Sequence, residues 1–306
     1  MTETVLVLKV DVDTKKGYRE GVPRLLEILR ARKIKASFFF SFGPDNSGKA
    51  IRRIFRKGFI KKMLRTKASS AYGVKTLLYG TLLPAPLIVE PEPGVFIRAF
   101  QEGHDCGIHC WDHVKWQDRL PVMTEEEIRA DFEKAMELFE RYTSRPAKSC
   151  AAPGWQATAT SLAVQDELGF DYCSDARGEG GPFLPRMEGR AFKTLQIPTT
   201  LPTLDEVYGR EDVPTGEITD YYLGLLGPGL NVHTIHAEME GGALSGLFEQ
   251  LLDGCITRGV TFRTLNDIAL GEALSGRDTP LGDVAPGVLP GRAGTVAVVG
   301  GKEERE

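Results

Sequence analysis

The chain has 306 residues, 42% of them hydrophobic and 26% charged, with a formal net charge of -4 and five cysteines. That length supports one large domain with a substantial core, and the acidic balance argues against general nucleic-acid binding. Cys106, Cys110, Cys150, Cys173 and Cys255 are odd in number and lack framework spacing, which excludes a disulfide scaffold and fits reduced thiols in buried strands. Met1-Thr2-Glu3-Thr4 lacks the cationic start of a signal peptide, so a cytoplasmic protein is expected.

In chain order, apolar strand patterns alternate with helical ones. Strands are predicted over Val5–Val12, Ala36–Phe42, Asp105–Cys110, Ser149–Ala152, Tyr172–Ser174, Leu195–Pro198, Asn231–Ala237 and Val260–Thr264. Helices are predicted over Val22–Arg32, Thr124–Tyr142, Thr158–Leu168 and Leu247–Arg258, with a Thr124/Glu127 capping box and with Gly169 and Gly259 at C-cap positions. Such alternation implies parallel strands joined by crossover helices. Because the conspicuous polar residues end strands, the pattern favours a distorted (β/α) barrel over an open sheet. Asp13-Thr14-Lys15-Lys16-Gly17 after the first strand matches no nucleotide-binding fingerprint.

Two segments depart from the alternation. Lys49 to Lys67 carries only basic charges, among them Arg52, Arg53, Arg56, Lys57, Lys61 and Lys62, interleaved with apolar residues. Val74 to Val89 follows, nearly uncharged, with Pro84 and Pro86 making it a poor spanning helix. A basic amphipathic segment inside an acidic chain is read as a contact with an anionic membrane surface. Residues 271–306, rich in Gly, Pro and charge, are expected to form a disordered tail beyond a domain of residues 1–270 whose insertion spans about 46–93.

Three of the five histidines fall into groups with carboxylates. In Asp11-Val12-Asp13 the two aspartates project to one face of a strand, because side chains alternate. His109-Cys110-Trp111-Asp112-His113 offers two imidazoles, and His236 ends another apolar strand. One carboxylate with two imidazoles is a three-ligand site that leaves positions open for water and substrate. Zinc, manganese, cobalt or nickel would each suit such donors. His104 and His233 are read as core residues satisfied by hydrogen bonds.

Asp11-Val12-Asp13, the His109/His113 pair, Ala152-Pro153-Gly154-Trp155 and Thr234-Ile235-His236, in this order, resemble the NodB-type polysaccharide deacetylase family. Arg19 to Leu29, Gly43 to Asn46, Gln196 to Thr203 and His236 to Gly241 narrow the resemblance, over about residues 3 to 270. They match members that deformylate an undecaprenyl-phosphate-linked 4-deoxy-4-formamido-L-arabinose for lipid A modification, a step tied to polymyxin resistance. The resemblance implies a distorted barrel of NodB-homology type and one divalent metal ion. It implies Asp11 as catalytic base, Asp13, His109 and His113 as metal ligands, and His236 as general acid tuned by Asp175. Trp155 and Arg177 are grouped with the substrate-binding residues. Arg177 is also the candidate to replace the third-motif arginine, which is Ala151 here. The implied setting is peripheral, on the cytoplasmic face of the inner membrane. Two other readings stay open: N-deacetylation of another amino-sugar glycan, and a catalytically silent lipid-binding scaffold.

Overall fold

The computed structural model describes residues 3–50, 75–276 and 278–300. β1 (Thr4–Val12) is the hub, buried from Leu6 to its end, as an inner strand of a parallel sheet must be. Along one edge it pairs with β9 (Gly229–His236) over its whole length, ending in the register Asp11↔His236. Its other edge is shared. The first half pairs with β10 (Thr261–Arg263) and the second with β2 (Ser37–Phe40). From β2 the sheet continues through β3 (Asp105–Ile108), β4 (Ser149–Cys150), β5 (Tyr172–Cys173) and β8 (Leu195–Gln196), every pair parallel. Past β8 the backbone amides of Thr200 and Leu201 both donate to the Val232 carbonyl, closing the ring onto β9. The expected distorted barrel is therefore the observed one, with two-residue strands at β4, β5 and β8 as the distortion.

The helices are α1 (Val22–Ala31), α2 (Gly94–Gln101), α3 (His113–Arg119), α4 (Glu125–Thr143), α5 (Ala159–Leu168), α6 (Leu204–Val207), α7 (Ile218–Leu225), α8 (Ser245–Thr257) and α9 (Leu265–Leu274). The capping box before α4 is present, and Gly169 ends α5 in the left-handed region at φ 69°. Under the outer helices lies an aromatic cluster in which Phe40, Phe42 and Phe139 all pack on Phe96 at 5.0–5.2 Å. Each such ring contributes about 1.5–3 kcal/mol by leaving water. Two single π-helical turns, Gly17–Gly21 and Met239–Ala243, meet backbone to backbone beside the strand ends. A Cβ on Gly21 would collide with the Ala237 carbonyl, and one on Gly241 with Gly21.

The tail is folded where disorder was expected. α9 runs past residue 270, and β11 (Leu281–Val288) pairs antiparallel with β12 (Thr295–Val299) and parallel with β6 (Leu184–Met187), which is extended by β7 (Arg190–Ala191). Val284 and Ala297 join the cluster of Phe183, Met187 and Phe192. Val284, Val296 and Ala297 supply a small buried apolar patch that the Gly and Pro content hides. Residues 301–306 lie outside the described chain.

Candidate metal centre

Three strand ends build the centre. Beyond β1, Asp13 holds its Oδ1 3.2 Å from His109 Nε2 and its Oδ2 3.3 Å from His113 Nε2. His109 follows β3 directly, and Cys110 turns the chain at φ 80°, a left-handed conformation rare outside glycine. Asp112 then caps α3 by accepting from the Val114 and Lys115 amides, which sets His113 in the first turn. Asp131 of α4 accepts from the Trp111 amide at 2.8 Å and steadies the same loop. The H-x-x-x-H pair thus spans a strand end and a helix start, not one helical face.

The donors suit a divalent cation. One ligand atom from each of Asp13, His109 and His113 lies within 4.8 Å of the others. His109 Nδ1 donates to the Ala151 carbonyl at 2.6 Å, which leaves the Nε2 lone pair toward Asp13, the orientation that fixes the ligating tautomer. Asp13 Oδ1 is buried without a directed hydrogen bond, as a metal-binding oxygen would be. Burial pushes the Asp13 carboxyl up, but the His113 and His109 imidazoles outweigh it and hold the group well below the usual range.

Asp11 and His236 are side by side in the β1–β9 register, and Asp11 lies next to this triad. Asp11 Oδ1 is 4.0 Å from His109 Nδ1, while Oδ2 is 3.3 Å from Lys9 Nζ. The His236 amide donates to Glu240 Oε2 at 2.9 Å. Burial raises the Glu240 carboxyl to about 7. Glu238, buried beside Gly17, has no hydrogen-bond partner for either oxygen among the described residues, and burial raises it well above the carboxylate range.

Asp11, Asp13, His109 and His113 come together and the strand register sets His236 opposite Asp11, whereas three other residues do not take the places expected of them. Asp175 faces the Ala152 amide at 2.7 Å, Gln165 Nε2 at 2.7 Å and Gln196 Nε2 at 3.2 Å, so it braces the backbone beside Ala151. The carboxyl that hydrogen-bonds the His236 backbone is that of Glu240. Arg177 forks onto Glu206 at 2.8 and 3.1 Å and lies far from the role of partner to Asp11. Trp155 is 1% exposed, flanked by the Arg177 and Arg292 guanidiniums and donating to Thr199 Oγ1, so its ring is covered rather than offered to a substrate. Lys9, absent from the sequence reading, is the cation beside Asp11. Its position two residues earlier on the same strand face was the available signal. Arg52, Arg53, Arg56, Lys57, Lys61 and Lys62 fall outside the described residues.

A parallel barrel with one carboxylate and two imidazoles at its strand ends, and a second carboxylate and imidazole beside them, defines a hydrolase-type centre. The polysaccharide deacetylase family model matches residues 2–173. A Shewanella sediminis (strain HAW-EB3) protein named "Probable 4-deoxy-4-formamido-L-arabinose-phosphoundecaprenol deformylase ArnD" is 40% identical over 292 residues, covering 95% of this chain and 93% of that one. A protein of the same name from Wigglesworthia glossinidia brevipalpis is 32% identical, covering 92% of this chain and 97% of that one. Among solved structures, a Mycobacterium smegmatis protein assigned as a polysaccharide deacetylase superposes with TM-score 0.62 at 16% identity, covering 91% of this chain and 93% of that one. The chain belongs to the polysaccharide deacetylase family.

Proposed function

We propose that this protein hydrolyses the formamide of undecaprenyl-phosphate-linked 4-deoxy-4-formamido-L-arabinose, releasing formate and the 4-amino sugar lipid for lipid A modification. The name and 40% identity of the Shewanella relative support the substrate, and the pairing of the donor triad with Asp11 and His236 supports the chemistry. A divalent ion held by Asp13, His109 and His113 would acidify water and polarise the formyl oxygen. Asp11 takes the proton from the attacking water through its unpartnered Oδ1. His236 gives a proton to the nitrogen as the C–N bond breaks, so the amine leaves neutral and formate carries the added oxygen.

The polyprenyl chain stays in a bilayer, so the site must meet the headgroup there. No described helix is long and apolar enough to cross a membrane. Leu82, 81% exposed, and Leu83 stand at the surface of the apolar stretch that follows the basic run. This stretch is tied to the site. The Asp45 amide donates to Pro86 O at 2.8 Å, the Gly48 amide to Tyr79 O at 3.0 Å, and Asn46 to the Asp112 carboxylate that caps the His113 helix. Apolar area that follows a basic run in the sequence suits adsorption to anionic lipid.

The test is formate release by the metal-loaded protein from the lipid-linked formamido sugar, run beside acetate release from an N-acetylated glycan. Formate from the first and little acetate from the second is the expected result. Efficient deacetylation with no deformylation would replace this function with the glycan reading.

A further inference from the structure

We propose that Lys9 is a positioning residue for the reaction, holding one oxygen of Asp11 so that the other faces the attacking water. The proposal rests on the deformylase reading above and deepens it.

Lys9 and Asp11 alternate along β1 and Asp13 follows two residues on, just past its end, so all three project to the barrel interior. Lys9 is 0% exposed, unusual for a lysine in mid-strand. Its ammonium has four partners: Asp11 Oδ2 at 3.3 Å, the Ser174 carbonyl at 3.3 Å, the Trp155 ring at 5.0 Å and the Phe39 ring at 6.0 Å. Trp155 is itself packed between Arg177 and Arg292, and the Ser174 carbonyl follows β5, so two rigid elements fix where the ammonium sits. The ammonium in turn fixes Asp11. Oδ2 points to Lys9, while Oδ1 is buried without a hydrogen-bond partner on the side of His109.

A lone ion pair in a barrel interior is a poor stability device, since well-packed apolar residues of the same volume are commonly as stable or more so. Its geometry does have a use in catalysis. A carboxylate with one oxygen pinned presents the other in a single direction, and misplacing a reacting group by about 1 Å can cost on the order of 100-fold in rate. Arg177, the alternative cation, is committed to Glu206 and the Leu201 carbonyl.

The experiment compares Lys9→Met, Lys9→Gln and Lys9→Arg in the full chain by metal content, thermal stability, kcat and KM on lipid-linked formamido sugar, and crystal structure. Lys9→Met and Lys9→Gln are expected to bind metal as wild type does and to lose about 100-fold in kcat with KM nearly unchanged. Lys9→Arg should recover to within about tenfold of wild type, because a second cation reaches the same oxygen. In the Lys9→Gln crystal structure the Asp11 carboxylate should be rotated from its wild-type place. Near-normal kcat in Lys9→Met or Lys9→Gln, or an arginine variant that folds and binds metal yet is no better than methionine, would overturn the proposal. So would an unmoved Asp11 carboxylate, a readout that needs no substrate. If wild type itself releases no formate, the functional reading fails, while the crystallographic comparison still decides the position of Asp11.

Discussion

Asp11→Asn separates the role of this residue as a base from its role as a buried counter-charge. The substitution keeps shape but leaves the Lys9 ammonium, fully buried, with the Ser174 carbonyl, the Trp155 and Phe39 rings and one neutral amide. Removing one partner of a buried pair costs about 3–5 kcal/mol, and the amide oxygen still accepts from Lys9, so the lower figure applies. At about 2.1 cal/mol/K of unfolding entropy per residue, about 3 kcal/mol in a chain of 306 residues corresponds to a melting temperature lower by roughly 5 °C. Turnover should fall by about two to four orders of magnitude, with metal content unchanged because Asp13, His109 and His113 are intact. Denaturant unfolding at neutral pH, metal analysis and formate release measure the three quantities. Adding Lys9→Met to Asp11→Asn should restore stability without restoring activity. Wild-type stability in Asp11→Asn would refute the coupled buried pair, and metal loss there with metal retention in Asp13→Asn would reverse the two aspartates' roles.

His236→Ala should keep metal and fold while losing about two to four orders of magnitude in rate, and a near-normal rate removes it from proton transfer. Deleting residues 278–306 strips Val284, Val296 and Ala297 from their buried places and Arg292 from Trp155. A loss of about 3–5 kcal/mol is expected, and an unchanged unfolding curve would show that the strands contribute nothing. His104 is lowered by burial to about 4, and its Nδ1 accepts from the Ala36 amide at 3.2 Å. Folded protein therefore binds fewer protons than unfolded between pH 6.5 and 4, and stability should fall by about 3 kcal/mol as pH drops through that window. In His104→Gln this part of the acid loss should vanish from unfolding curves measured at both limits. Replacing Arg52, Arg53, Arg56, Lys57, Lys61 and Lys62 with Gln should weaken binding to anionic vesicles by about 1 kcal/mol per engaged residue. It should also raise KM for the lipid-linked substrate more than for a short-chain analogue, and equal effects on both would assign the segment to the barrel itself.

The barrel was legible because β1 to β5 and β9 carry apolar runs whose ends hold the polar residues, and the Asp11/Asp13 alternation fixed which face they share. Lys9 escaped because a lysine in a strand ordinarily marks the solvent side, and only three-dimensional closure shows both faces of β1 covered. Arg177 was misplaced because its partner, Glu206, comes from α6 and no local pattern announces the pair. Asp175 lies near the expected motif in sequence, yet Gln165 and Gln196 claim its oxygens. The tail reads as disordered by composition, but a few buried apolar residues, Val284, Val296 and Ala297, suffice once β6 offers an edge to pair with.

The most direct measurement is a metal titration of the chelator-stripped protein, following formate release from the lipid-linked formamido sugar alongside bound metal. Formate should appear in proportion to one ion per chain, stop with chelator, and be lost with the ion in His113→Ala. Formate release that persists in the metal-free protein, or that is unchanged in His113→Ala, would contradict a reaction run at the Asp13, His109 and His113 centre.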